Sequence, residues 1–132
     1  MSGELFVLCL AGILYLFAWL PSSLAKAKSF GPKWLASNRE ASGAELVAWG
    51  GRCERAYQNL KDNFPGFIIA VLVIELTSTH GTLSLVLCWV YLVCRIGHFM
   101  SYGIGLVYPR AILWIGGLAA NLCLFAIALL GF

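Results

Sequence analysis

Four stretches of the chain are apolar with few polar interruptions, over residues 5–24, 63–78, 83–107 and 112–132. A helix needs about 20 mostly apolar residues to cross the hydrocarbon of a bilayer, so the pattern predicts four membrane-spanning helices. The second stretch is short, but the polar segment before it, residues 44–62, has no proline and continues the same helix beyond the hydrocarbon. With such extensions the helices fall at about 5–27, 45–78, 82–107 and 110–131, around a loop at about 28–44. The expected architecture is a single all-α, integral membrane four-helix bundle over residues 1–132. Within "AKSFGPKWLASNREASG", Gly31-Pro32 ends the first helix and Ser42-Gly43 precedes the second, with a short interfacial helix expected around Trp34 and Leu35. Glu4, with no basic residue before it, and the long apolar run after it argue for a retained helix rather than a cleaved leader.

Composition agrees with the pattern. Of 132 residues, 61% are hydrophobic and only 11% charged, with a mean hydropathy of +0.85, values outside the range of soluble domains. The nine basic residues, Lys26, Lys28, Lys33, Arg39, Arg52, Arg55, Lys61, Arg95 and Arg110, lie in or beside the first connection or near the third. Basic residues accumulate on the cytoplasmic side, which places both of those connections inside and both termini outside the cytoplasm. The net charge of +3 therefore reports topology, and the chain has no soluble basic surface on which to bind nucleic acid. Cys9, Cys53, Cys88, Cys94 and Cys123 lack the paired spacing of a metal or redox site and read as small buried apolar residues. His80 and His98 lie far apart, and Glu75 has no ligand-spaced partner, so no metal site is expected.

Polar residues at membrane depth need partners, and two helices carry them in stripes. At 100° per residue, Arg52, Arg55, Asn59 and Asp62 share an arc of roughly 80°, while Arg95, His98 and Tyr102 share one of about 60°. One reading is a structural cluster in which Asp62 neutralises one arginine and Asn59 caps another. The other is an anion site, because Arg52, Arg55, Arg95 and Arg110 outnumber the nearby carboxylates Glu54 and Asp62. The second suits a small zwitterionic ligand: guanidinium groups clamp carboxylates, Asp62 accepts from an ammonium, and Asn59 and Tyr102 bond amides. His98 also fits a bundle contact, and Tyr102 and Tyr108 also fit an interfacial aromatic belt.

The motifs "RCERAYQNLKDNFPGF" and "CRIGHFMSYGIGLVYPRAILW", on the expected second and third helices and the start of the fourth, resemble the paired signature of the MAPEG family, the membrane-associated proteins in eicosanoid and glutathione metabolism. The likeness extends over essentially the whole chain. It implies a homotrimer that binds glutathione as cosubstrate, without a metal, between neighbouring subunits near the cytoplasmic boundary. By this resemblance Arg55, Asn59 and Asp62, with Arg95, His98 and Tyr102, hold the tripeptide, with Arg52 added from the same helical stripe, and Lys26 or Lys28 stands in for a basic residue meeting its carboxylate. Arg110, with Tyr102 beside it, takes the catalytic place, stabilising the glutathione thiolate. A guanidinium at the positive end of a helix favours the ionised form of a thiol of ordinary pKa about 8.5; a snorkelling anchor is the other reading of Arg110.

The implied function is a glutathione-dependent transferase or peroxidase acting on a lipophilic electrophile or hydroperoxide in contact with membrane lipids. The compact chain, with no evident endoplasmic-reticulum retrieval tail, points to a bacterial inner-membrane member. Asp62 stands where the family more often has glutamate, Gln58 where a basic residue is frequent, Tyr57 where a histidine is frequent, and Ala111 where a serine often follows the arginine. Asp62 keeps the charge and Tyr57 points away from the stripe, whereas Gln58 and Ala111 favour the alternative of a noncatalytic glutathione- or lipid-binding subunit. A small drug-and-proton transporter would need a carboxylate deep in a helix, whereas here the acids sit at the edges.

Overall fold

The computed structural model describes residues 1–40 and 43–131, so Ser42 of the expected Ser42-Gly43 break and the terminal residue of the last apolar stretch lie outside it. The elements in order are α1 (Gly3–Phe17), α2 (Leu20–Phe30), α3 (Pro32–Leu35), α4 (Ala48–Leu76), α5 (Thr82–Ile104) and α6 (Val107–Leu130), with no strand among the described residues.

The first apolar stretch is two helices rather than one. Pro21, in the first turn of α2, has no N–H to offer the carbonyl of Phe17, and its ring crowds that carbonyl; Phe17 is the last residue of α1. Gly31, at φ 87°, ends α2 and passes the chain to Pro32 and the single turn of α3, where Trp34 packs on Phe30 at 4.5 Å between ring centroids. The connection thus starts three residues later than the sequence suggests, and α4 starts at Ala48, after the Ser29 hydroxyl has accepted a bond from Val47 N at 3.0 Å.

Three segments are long and apolar enough to cross a membrane: Gly3–Phe30, Thr82–Ile104 and Val107–Leu130. Helix α4 is not among them, because Arg52, Glu54, Arg55, Lys61 and Asp62 occupy its first half. Its apolar second half nonetheless supplies Phe64, Phe67, Ala70, Val71 and Ile74 to a core completed by Val7 and Ala11 of α1, Cys88, Tyr91 and Leu92 of α5, and Ala120, Leu124 and Ile127 of α6. Phe67 lies flat on Tyr91, centroids 3.9 Å apart and 9° between planes, and Tyr15 stacks on Phe64 at 4.8 Å. Large apolar residues such as Ile13, Leu72, Val93, Ile112 and Leu122 remain on the outside, as bilayer-facing surface requires.

The two ends of the bundle are held differently. At one end Ser2 donates to Glu75, and the buried Glu4 carboxylate accepts from the Ser84 hydroxyl and from Gly81 N, tying the start of α1 to the end of α4 and the start of α5. At the other end the ties are Lys26 to Glu54 at 2.7 Å and Arg52 Nε to the Gly103 carbonyl at 3.2 Å. Gly105 (φ 86°) then turns the chain, and only two residues separate antiparallel α5 and α6.

Helices α2 and α4 cross at Gly50, where an added Cβ would sit 2.5 Å from the Cβ of the fully buried Ala25. Neither atom has a flexible arm to swing aside, so the backbones must part. Gly50→Ala is expected to cost about 1–3 kcal/mol, the usual penalty of overpacking, read as a lowered midpoint of thermal unfolding in detergent; an unchanged midpoint would mean that this crossing is loose.

Candidate functional site

At the basic end of the bundle, α4, α5 and α6 form an open cavity of about 330 Å³ lined by Asn59, His98, Tyr102, Arg110, Ala111, Trp114 and Ile115. Four of the residues singled out by helical spacing or resemblance therefore share one wall. The 100° rule explains the grouping: Asn59 projects from the polar face of α4, His98 and Tyr102 are one turn apart on α5, and Arg110 lies in the first turn of α6.

Tyr102 is the hub. Its ring has the Arg110 guanidinium carbon 4.6 Å from its centroid and that of Arg55 at 5.9 Å, while His98 meets it edge-on at 5.6 Å. Cations over an aromatic face are held by the ring quadrupole, so one tyrosine orients two guanidiniums. The His98 ring nitrogen Nδ1 lies 2.9 Å from the Arg110 carbonyl oxygen. A carbonyl only accepts, so Nδ1 carries the proton and, in the neutral ring, Nε2 presents its lone pair. This bond ties the first turn of α6 to α5.

Arg95 stands behind the cavity rather than in its wall. It is 2% exposed, stacks over Tyr91 at 5.1 Å, and donates Nη1 to Asn59 Oδ1 at 3.4 Å, fixing which face of that amide points forward. Its Nε and Nη2 have no hydrogen-bond partner among the described residues and lie against Gly117, where an added Cβ would come within 2.9 Å and 2.8 Å of them.

The remaining candidates are elsewhere. Arg52 is committed to the Gly103 carbonyl at the end of α5, a favourable place for a cation. Asp62 and Lys28 are exposed and do not line the cavity. Lys26 is engaged by Glu54, and this hydrogen bond holds the Glu54 carboxyl below its usual range although partial burial opposes it. Gln58 donates to the same carboxylate at 3.2 Å, and Tyr57 packs under Lys61.

The Lys26–Glu54 pair is the salt bridge among the described residues; no arginine is paired with Asp62 there. Within the chain, then, Asp62 has no arginine among the described residues, while Asn59 is joined to Arg95. The chain's own thiol nearest this end, Cys53, is buried, which pushes it up against the pull of Arg52, so it is a poor nucleophile at neutral pH. The site thus presents Arg55 and Arg110 around Tyr102 with no carboxylate in the cavity wall, an arrangement suited to an anion or to a group that becomes one.

Helical spacing also held a signal for Trp114 and Ile115. Trp114 follows Arg110 by four positions, which brings it to the same side of α6, and Ile115 stands in the same relation to Ala111. The Arg95–Gly117 contact has no such local signature.

A family model described as the MAPEG family matches residues 4–130 of the chain. No curated protein and no solved structure matches it.

Proposed function

Because the chain belongs to the MAPEG family over residues 4–130, which supports a glutathione-related membrane function, we propose that it is a glutathione-dependent membrane transferase or peroxidase working as a homotrimer. The observation that carries this reading is the pairing of two guanidiniums over Tyr102 beside a cavity whose wall contains no carboxylate. In this reading α4 makes the fourth crossing, its apolar half packed in the core and its polar half extending past the hydrocarbon. The basic end faces the cytoplasm and the termini face the other side, in a bacterial inner membrane.

Glutathione enters between subunits. Arg55 takes a carboxylate in its planar fork, Asn59 and His98 meet the amide backbone, and exposed Asp62 receives the ammonium, with Arg52, Arg95 and Lys28 supporting the positive field. Arg110 receives the sulfur. Its charge, together with the positive end of α6, favours the thiolate over the thiol. The thiolate then attacks a carbon of a lipophilic electrophile, forming the S–C bond as the displaced electron pair leaves, or the terminal oxygen of a hydroperoxide, forming an S–O bond as the O–O bond breaks and the alkoxide leaves to become the alcohol. In the peroxide case a second glutathione thiolate then displaces hydroxide from the sulfenic acid, giving glutathione disulfide and water.

A noncatalytic binding subunit is the second reading, favoured by Ala111, which lines the cavity without a hydroxyl. The two separate in a titration of purified protein with glutathione at neutral pH, following heat and ultraviolet thiolate absorbance together. A saturable thiolate signal is expected. Heat without thiolate would assign a binding protein, and neither signal would remove glutathione from the account.

A further inference from the structure

The cavity has a second character that the glutathione reading leaves unused. Ala111, Trp114 and Ile115 make one side of it apolar, all from the same helix as Arg110. Trp114 is 36% exposed, and its indole N–H has no hydrogen-bond partner among the described residues, in contrast to Trp34, whose Nε1 donates to the Glu40 carbonyl at 2.7 Å. An indole that is half open yet lines a cavity offers two things together: a flat π face and a free donor at its edge. It is also placed next to the chemistry. Residues four apart on a helix have Cβ atoms about 5–6 Å from each other, so a molecule lying on Trp114 has its far end beside Arg110. Ile115, in the same wall, is largely exposed, which opens this side toward the lipid-facing surface.

We propose that Trp114 sets the specificity of the apolar half of the cavity: it selects a flat, conjugated lipophilic molecule bearing a hydrogen-bond acceptor, such as an aryl ketone, over a flexible alkyl chain of similar hydrophobicity. The stacking face rewards planarity, and the indole N–H rewards the acceptor. A chain of freely rotating methylenes gains neither and loses rotamer freedom on binding. The placement of the second substrate beside a sulfur nucleophile rests on the glutathione reading; the binding preference does not.

The test is calorimetric binding of two unreactive probes, methyl naphthyl ketone and methyl heptyl ketone, to the detergent-solubilised protein with and without glutathione. Both probes are methyl ketones, so the pair compares a flat conjugated aryl group with a flexible alkyl chain. Wild type is expected to prefer the naphthyl ketone by about three- to tenfold, the range of an aromatic contact beyond simple burial. Trp114→Leu should erase that preference while leaving the heptyl ketone within about twofold, and Trp114→Phe should keep part of it, having a smaller ring and no donor. Trp89→Leu is the control, because Trp89 is similarly exposed but lies in a separate apolar groove with Val86 and Val93.

A preference that survives Trp114→Leu, an equal loss for both ketones, or no preference in wild type would overturn the proposal. Circular dichroism confirms that each variant is folded, and the conservative phenylalanine variant carries the test if leucine does not fold. Failure of the glutathione reading looks different: a Trp114-dependent preference without any glutathione binding would sink that reading and leave this one standing. A glutathione thiolate with no Trp114 dependence would do the reverse.

Discussion

Arg110→Ala is expected to abolish the glutathione thiolate signal at neutral pH and to lower turnover with any electrophile by about a hundred- to a thousandfold, the loss seen when one preorganised charge-stabilising donor is removed. Glutathione affinity should change by much less, because Arg55, Asn59 and His98 remain. The size of the effect follows from how firmly the guanidinium is held: the Tyr102 ring lies 4.6 Å from its central carbon, and the backbone turn that carries it is pinned by His98 at 2.9 Å. A preorganised charge stabilises a developing anion without reorganising at the moment of reaction. Arg110→Lys should recover part of the thiolate signal, since the charge survives while the planar, ring-stacking group is lost. Stopped thiolate titrations and steady-state rates on the same preparations read both effects. Full thiolate formation in the alanine variant would move the ionising role to another group.

The second large effect is expected at Gly117. Here an added Cβ would collide with the buried Arg95 guanidinium at 2.8–3.0 Å, and the crowding has no solvent to escape into, since Arg95 is 2% exposed. Gly117→Ala should therefore cost about 1–3 kcal/mol, and it should also loosen Asn59, whose Oδ1 accepts from Arg95. Arg95→Met should behave in the opposite way on stability. It removes a buried cation with two unpartnered nitrogens, and exchange of buried charge for a packed apolar side chain is often neutral or stabilising. Its cost falls on glutathione affinity, through the freed Asn59. Combining the two substitutions should recover more stability than addition predicts, with a coupling of about 0.5–3 kcal/mol for groups in contact. A thermal double-mutant cycle measures it, and strict additivity would show that Arg95 leaves Gly117 at no cost.

What the sequence made legible was whatever repeats at helical spacing or ends a helix locally. The stripe of Asn59 on one helix and His98 and Tyr102 on the next could be drawn together from the 100° rule, and the structure puts them around one cavity. Pro21 lies within the first apolar stretch, and predicting one helix there from length and hydrophobicity took no account of its missing N–H. The first half of α4 was legible as helix but not as membrane, since its charges exceed what length and composition allow for a crossing. Other features depend on residues far apart in the chain. Nothing near Gly117 announces Arg95, nothing near Glu4 announces Ser84, and the diversion of Arg52 to Gly103 and Lys26 to Glu54 is decided by how helices meet. Side chains as long as lysine and arginine have several partners within reach, and periodicity alone does not choose among them.

The contrast between the two ends of the bundle lets the chain act as a lever. Short groups, the Ser2 and Ser84 hydroxyls and the Gly81 backbone, grip Glu75 and Glu4 at the far end, and such grips break if they slide by more than a fraction of an ångström. They form the fulcrum. Sixteen residues of α4 separate Glu75 from Asn59, about 24 Å at 1.5 Å per residue, so a tilt of about 5° carries Asn59 through roughly 2 Å. Of the ties at the moving end, those through the long side chains of Lys26 and Arg52 can follow that swing by changing rotamers, while the bond from buried Arg95 to Asn59 opens with it. The mouth of the cavity can thus widen and narrow around a guest while the far end of the bundle keeps its register.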